Sequence, residues 1–401
     1  MEENKALGAQ TLKTFEKALK ENYLPVWKNQ LGVEPSALLS KVKKVPLKSD
    51  KIVSTAPIGL SGGFGFGYEG ENTPAAGNVQ FERFETNAKD MYVNICISAK
   101  AVRLTGSGGA MANALDTEVK AAYETAKWNT GRALFGDGTG KLTAFKAAAS
   151  NTETHTVESV MYLKEGLIVD IHAADGSVSA TTRIRSVDRA NGKVTFTDKV
   201  TSATSGFITV QNSYNREITG LGAIFNTGIT SLYGVSKADN PYLLPVVMDA
   251  NHAIDDALIT KALRAAKNEK NSNVDTFLCG DDAYDAYVTY LRDNNIRVED
   301  MSHTIQGGFK AIKCIFGNRE VDIVNESFVP ADEMWGVDSS ALELHTQEWN
   351  FADLQGGGIF NLMEGKSVYR ALLANYGDLI CTNPGGCIRI IGCTPQIVTG
   401  A

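Results

Sequence analysis

The sequence predicts an α+β fold in which helices and strands alternate along the chain and one segment contains strands only. Three observations predict it. Apolar residues recur at helical spacing over about 110–135, which indicates one long helix. Glycine and aromatic residues alternate over 52–88, which indicates a two-stranded ribbon. Short strands with turn signals over 155–215 indicate a small inserted β-domain.

The composition favours a folded protein of several domains. The chain has 401 residues, of which 43% are hydrophobic, so we expect two or three domains with a core of their own. It contains no run of 18 apolar residues and no secretory signal, from which we expect a soluble protein made in the cytoplasm, without a membrane partner. The six cysteines show no CxxC spacing, so their pattern suggests neither a disulfide framework nor a zinc site.

The charge of the chain is unevenly distributed. The net charge is −7, and residues 1–51 carry ten Lys and Arg against six Asp and Glu, or +4, which leaves −11 for the rest. A globally acidic chain lacks the charge of a sequence-specific DNA reader. The basic N-terminal arm is suited to weak contacts with nucleic acid or an acidic partner.

The N-terminal arm is predicted to be a helix followed by a tether. Its helix spans 5–24 and ends at Pro25. Two alternatives remain open, because this helix packs either on its own subunit or on a neighbouring subunit or scaffold. Residues 33–50 resemble an extended tether. The apolar face of the helix is formed by Leu12, Phe15, Leu19 and Tyr23.

The ribbon over 52–88 has no obvious local support. Phe64, Phe66 and Tyr68 alternate with glycines, and turns are predicted at 72–74 and at Asn78. A lone hairpin of this length is at best marginally stable in water. We therefore expect another molecule to support the ribbon.

The remaining elements follow in order. The long helix ends at the Gly136-Asp137-Gly138 breaker. In the inserted β-domain, Asp175-Gly176 and Asn191-Gly192 predict two-residue hairpin turns in which both positions take positive φ. The next segment predicts helices at 250–268 and 281–292 and strands at 274–279, 311–316 and 320–325, and residues 335–398 are rich in strands.

Several motifs imitate catalytic sites but fail on their context. Gly59–Gly63 matches the GxSxG pattern with Ser61 as nucleophile, yet glycines follow where a helix is needed. Gly65–Gly70 matches GxGxxG, and no helix opens after it. Cys279 precedes two aspartates, which would raise its pKa, so a buried structural cysteine is favoured. The histidines are not at ligand spacing. We predict no catalytic residue, cofactor or metal, and no enzyme.

The order of these features resembles the Hong Kong 97-type major capsid protein of tailed bacteriophages over nearly the whole chain. The segments that carry the resemblance are ENTPAAGNVQFERFETNAKDMYVNICISAKAV, the long helix closing on RALFGDGTGKL, EITGLGAIFN, and FGNREVDIVNESFVPADEMWGVDSSALEL. The resemblance implies an N-terminal arm at 1–45, an extended loop at 46–88, a peripheral domain with its spine helix at 89–154, an inserted β-domain at 155–215, an axial domain at 216–359 and peripheral return strands at 360–401.

The resemblance also implies function. The chain is expected to form hexamers and pentamers of an icosahedral virion shell assembled in the host bacterial cytoplasm. Expected partners are copies of itself, a scaffolding protein, the portal, packaged double-stranded DNA held by non-specific contacts, and a decoration protein. Some family members link subunits through a lysine of the extended loop, but no lysine lies between Lys51 and Lys89, so we expect a shell without cross-links. Contacts between subunits are expected at Phe64, Phe66, Tyr68, Glu69, Phe81 and Phe84 in the extended loop, and at Leu12, Phe15 and Leu19 in the arm.

Three alternatives stand beside this interpretation. The same fold could form an encapsulin-like bacterial compartment, which the inserted β-domain and the long glycine-rich loop disfavour. An α/β hydrolase using Ser61 or Cys279 lacks a converging set of acid, base and nucleophile. A phage tail-tube subunit would be dominated by sheet, whereas this sequence predicts long helices.

Overall fold

A computed structural model describes residues 21, 24–26, 35–58, 62–70, 72–100, 108–294, 302–305, 308–317, 319–352 and 359–394. Of the predicted arm helix, residues 21 and 24 are described, whereas Leu12, Phe15 and Leu19 lie outside the described residues. The helices are α1 Ala37–Lys41, α2 Gly108–Phe135, α3 Leu221–Phe225, α4 Asp256–Lys270 and α5 Asp281–Asp293.

The strands are β1 Lys43–Pro46, β2 Lys51–Ile58, β3 Gln80–Asn87, β4 Lys89–Ser98, β5 Lys141–Ala144, β6 Ala149–Thr156, β7 Ile168–His172, β8 Val178–Asp188, β9 Lys193–Ser202, β10 Phe207–Val210, β11 Ser231–Leu232, β12 Val235–Ser236, β13 Val246–Asp249, β14 Thr276–Cys279, β15 Ser302–Thr304, β16 Lys310–Phe316, β17 Arg319–Asn325, β18 Met334–Val337, β19 Leu342–Thr346, β20 Asn350–Phe351, β21 Asn361–Leu362, β22 Val368–Cys381 and β23 Ile388–Ile391.

The long helix α2 packs on a six-stranded sheet built around β22. This sheet has the order β1-β19-β22-β20, and β4 and β21 also pair with β22. Val119, Tyr123 and Ala126 of α2 lie three or four residues apart and are buried against Ile95 of β4 and Leu373 of β22. The helix predicted over 110–135 is confirmed, and it ends where the Gly136 N–H donates to the carbonyl of Arg132.

A seven-stranded sheet carries α4 and α5. Its order is β13-β23-β18-β14-β17-β16-β15, and all four residues of β14 are buried, as expected for a central strand. The side chain of Asp255 caps α4 by accepting the Leu258 N–H at 2.6 Å, and Asn271 ends that helix in the left-handed conformation. The predicted helices and strands between 250 and 325 are confirmed with shifts of a few residues at most, except that α4 begins at Asp256 rather than 250.

The inserted β-domain is a closed barrel. Its six strands have the order β5-β10-β7-β8-β9-β6, and an antiparallel bridge between Phe145 and Val157 joins the two outer strands. The Lys146 N–H donates to the Thr156 carbonyl at 3.0 Å beside this bridge. The barrel begins at Lys141, earlier than the predicted 155, because β5 is needed to close it.

The two hairpin turns predicted in this domain are longer than expected. Residues 173–177 connect β7 to β8, and residues 189–192 connect β8 to β9. Only the glycines take positive φ, +86° at Gly176 and +61° at Gly192. In the first turn the side chain of Asp175 accepts the Ser177 N–H, as in an Asx turn, and in the second the side chain of Asp188 accepts the Asn191 N–H.

The boundary predicted at 359/360, between the axial domain and the peripheral return strands, does not match the way the strands are shared between the two large sheets. β19 already pairs with β22 in the sheet under α2, although it precedes that boundary. β23 follows the boundary but pairs with β13 and β18 in the seven-stranded sheet. Residues 35–50 are not a tether either, because they contain α1 and β1, and Ala37, Leu38 and Leu39 are buried in the central core.

Candidate functional site: the ribbon and its base

The ribbon stem is an antiparallel pair of β2 and β3. Its register runs from Lys51 opposite Asn87 to Ile58 opposite Gln80. Residues directly opposite each other share a face, so Ile52, Ala56 and Phe84 lie on one face, and all three are buried in the subunit. Phe81 lies on the other face and is 66% exposed. The stem therefore has an anchored inner face and an open outer face.

The ribbon tip, residues 62–70 and 72–79, presents aromatic rings to solvent. Phe64, Phe66 and Tyr68 are 82%, 95% and 85% exposed, and Glu69 is exposed as well. The rings of Phe64 and Phe66 meet edge to face, with centroids 5.2 Å apart. Several large apolar side chains that lie close together in the sequence and are almost fully exposed are typical of a surface that another molecule covers.

Glycine lets the two sides of the tip approach each other. A Cβ atom on Gly65 would lie 2.8 Å from Cγ of Pro74, and one on Gly63 would lie 3.0 Å from the Gly77 nitrogen. No main-chain hydrogen bond joins residues 62–70 to 72–79. The tip is therefore a narrow, two-sided projection whose sides are not locked into a ladder.

Phe84 belongs to the fold of its own subunit. Its side chain is fully buried, and its ring lies 5.8 Å from the ring of Tyr233. We therefore assign Phe84 to anchoring the stem and correct the prediction that it contacts a neighbour. The period of two already separates Phe81 from Phe84, since residues three apart on a strand point to opposite faces.

Below Phe84, the stem is bound to a buried carboxylate. Asp378 of β22 is fully buried and accepts hydrogen bonds from Thr86 Oγ1 at 2.5 Å, from the Thr219 N–H at 2.7 Å and from the Leu379 N–H at 3.0 Å. Burial raises the pKa of Asp378, and these hydrogen bonds oppose that shift. Sequence reasoning did not single out Asp378, although an aspartate inside the apolar run of β22 is a signal that it binds something.

The basic segment that leads to the stem is largely paired within the subunit. Lys41 binds Asp322 at 2.6 Å, Lys43 binds Glu343 at 2.6 Å, and Lys51 binds Glu85 at 2.5 Å. The hydrogen bond from Lys51 is the main cause that lowers the pKa of Glu85. The excess positive charge read from the sequence of residues 1–51 is therefore partly neutralised where the structure describes it.

The catalytic-looking motifs do not come together. Ser61 lies outside the described residues. Cys279 is fully buried, and burial raises the pKa of its thiol. His155 and His172 are buried in the barrel with both ring nitrogens hydrogen-bonded to barrel residues. Within the described ranges, no three His, Cys, Asp or Glu side chains are grouped as metal ligands. No described helix is long and apolar enough to cross a membrane.

Solved structures similar to this chain include a phage capsid, an encapsulin complex and a procapsid. The capsid asymmetric unit of cyanophage A-1(L) superposes with a TM-score of 0.53 at 11% identity, and the match covers 94% of this chain and 95% of that one. The holo-SrpI encapsulin complex of Synechococcus elongatus PCC 7942 gives 0.47 at 9% identity over 90% and 88%, and the satellite phage P4 procapsid with its size determination protein gives 0.44 at 12% over 96% and 98%. The last two lie below 0.5 and do not choose between a phage shell and an encapsulin. The fold is that of the Hong Kong 97-type capsid proteins, as predicted.

The family of the chain is identified from its sequence. The family described as SU10 major capsid protein matches residues 189–390, which is half of the chain. The chain belongs to the SU10 major capsid protein family. No curated protein matches it in sequence. The predicted role as a shell-forming major capsid protein of the virion is thereby confirmed.

Proposed function

We propose that this major capsid protein builds an icosahedral shell of hexamers and pentamers around double-stranded DNA by laying its ribbon tip on an adjacent subunit. The single observation that carries the proposal is the row of exposed rings at Phe64, Phe66 and Tyr68. A closed shell of identical chains needs one surface that reaches and a different one that receives. The ribbon is suited to reaching, since its stem is fixed to its own subunit and the rings of its tip are exposed.

Burial of the tip rings contributes favourably to the contact between subunits. Burying one aromatic side chain contributes about 2 to 3 kcal/mol. Three rings in every subunit would therefore contribute several kcal/mol to each contact before the cost of ordering the tip. Glu69, which follows Tyr68, and Phe81, on the outer face of the stem, are exposed as well and extend the proposed contact.

The partners implied by the family resemblance complete the proposal. A scaffolding protein and the portal take part in assembly, a decoration protein binds the finished shell, and the packaged DNA is held by non-specific contacts. The arm residues Leu12, Phe15 and Leu19 dock on a neighbouring subunit or scaffold. The protein acts as a structural subunit and not as an enzyme. DNA that survives nuclease treatment of purified particles would support the phage shell, and particles filled with a protein cargo would favour the encapsulin-like alternative.

The tip is tested by replacing its three rings together. We expect Phe64→Ser, Phe66→Ser and Tyr68→Ser in one chain to leave a folded subunit with an unchanged melting temperature and to reduce particle yield at least tenfold. The matched control replaces three exposed apolar side chains outside the ribbon, and it should assemble normally. Normal particle yield from the tip variant would refute the proposed contact. The control substitutions are Val178→Ser, Ile315→Ser and Leu362→Ser.

A further inference from the structure

We infer that Tyr233 and Asp378 form a clasp that fixes the direction in which the ribbon leaves the subunit, so that both act as positioning residues for a contact they do not touch. The inference deepens the proposed function and rests on it. The short hairpin of β11 and β12 forms a two-stranded sheet of its own.

The hairpin turn is strained. Tyr233 and Gly234 connect β11 to β12, with φ values of +50° and +82°. Positive φ at both positions is the pattern of a type I′ turn, whose first position usually holds Asn, Asp or Gly. A bulky residue in the left-handed region is uncommon, and such strain persists only where the surroundings hold the residue in place. Tyr233 is therefore in a conformation that its local sequence does not favour.

Contacts made by the hydroxyl, the ring and the main-chain carbonyl of Tyr233 explain why its left-handed conformation is kept. Its hydroxyl accepts the Cys381 N–H at 3.1 Å, which ties the hairpin to β22. Its ring lies against the ring of Phe84, and its carbonyl accepts the Glu85 N–H at 2.9 Å. One residue thus connects the body of the subunit to two successive residues of the stem.

Asp378 holds the next residue of the stem. It lies three residues before Cys381 on the same strand, and one of its oxygens accepts from the Thr86 hydroxyl at 2.5 Å. Its other oxygen accepts from the Thr219 N–H, so its position is fixed from the body side as well. Residues 84, 85 and 86 are therefore held by ring packing, a main-chain hydrogen bond and a hydrogen bond to a carboxylate.

Because residues 84, 85 and 86 are each attached to the body of the subunit, both the position and the direction of the stem are fixed. Val79, where the stem passes into the tip, lies seven positions before Thr86 in the chain. At about 3.3 Å per residue, the tip begins roughly 23 Å from the clasp. A rotation of 10° at the clasp would displace the start of the tip by about 4 Å at this length. Loss of the clasp should therefore weaken the contact between subunits without changing a tip residue.

The test separates positioning from folding. Thr86→Val keeps the shape of the side chain and removes its hydroxyl, whereas Thr86→Ser keeps the hydroxyl. Hydrogen exchange measured by mass spectrometry on the full-length chain should be about tenfold faster or more for peptides of 80–88 in Thr86→Val, with strand β14 as the internal reference. Thr86→Ser should restore slow exchange and particle yield. Tyr233→Phe, which keeps the ring and loses only the bond to Cys381, should give a smaller acceleration in the same peptides.

The outcomes are distinct from those of the tip variant. Unchanged exchange at 80–88 in Thr86→Val would overturn the clasp. Faster exchange with undiminished assembly would overturn its positioning role. If the tip variant assembles normally while Thr86→Val assembles poorly, the contact through the three rings fails and with it the positioning role proposed for the clasp, whereas the anchoring of the stem by the clasp stands.

Discussion

Glu326 is a buried acid whose ionisation should make the stability of the subunit depend on pH. It follows β17, is 4% exposed, and accepts the Ala37 N–H at 3.1 Å where α1 begins. Burial raises its pKa to about 7, and only main-chain N–H groups of Ala37 and Phe328 oppose this shift. Protonation of Glu326 is therefore linked to the anchoring of helix α1.

The size and sign of the effect follow from the two pKa values. The unperturbed value is 4.5 and the folded value about 7, so at about 1.4 kcal/mol per pKa unit the protonated fold is favoured by about 3 kcal/mol. A raised pKa means that this contribution is fully present below pH 4.5 and is lost as the pH rises through 7. Glu326→Gln removes the titration and keeps an oxygen that accepts from Ala37.

Denaturant unfolding of both chains at several pH values tests this linkage. From pH 5 to pH 8, the wild-type free energy of unfolding should fall by about 2 to 3 kcal/mol relative to that of Glu326→Gln. Glu158→Gln, at an exposed carboxylate of the barrel, is the matched control and should follow the wild type at every pH. A constant difference between wild type and Glu326→Gln across this range would refute the assignment.

Three further predictions concern the ribbon, the long helix and the finished particle. Phe84→Ala should lower the free energy of unfolding by about 3 to 5 kcal/mol in denaturant titrations, while Phe81→Ala on the open face should change it by less than about 1 kcal/mol. Gly131→Ala should lower the melting temperature although alanine favours helices, because its Cβ would lie 2.6 Å from the Phe328 ring; an unchanged or higher melting temperature would contradict this overlap. Boiled particles should run on a denaturing gel as one band near 43.1 kDa, and a ladder of multimers would contradict the absence of cross-links.

Elements with a strong local period were predictable from sequence. Helix α2 shows its apolar spacing over several turns, and the glycines that follow Phe135 mark its C-terminal end in the sequence. The hairpin of β16 and β17 combines apolar residues with a turn at Gly317, where φ is +65°. Such signals depend on residues close in the sequence, so they can be recognised without knowing which distant residues pack against the element.

Elements defined by distant partners were not predictable. Helix α1 has five residues, too few for a periodic pattern, and it is stable because Leu38 and Leu39 are buried in the central core. The exchange of β19 and β23 between sheets depends on pairings that no local pattern encodes. The same holds for Asp378, whose partners Thr86 and Thr219 are 292 and 159 residues away in the chain.

The ribbon needs less external support than its sequence indicates. An isolated hairpin of this length would be marginal, but the inner face of the stem is buried in its own subunit at Ile52, Ala56 and Phe84. What remains for a neighbour to stabilise is the tip, residues 62–70 and 72–79. Because only this part must be ordered on assembly, the entropy cost is confined to about seventeen residues, at about 1 to 2 kcal/mol each if all were initially free. Burial of three rings alone does not offset this total entropy cost. We therefore expect the tip to be partly ordered before docking, by the close packing of Gly63 and Gly65 against its opposite side.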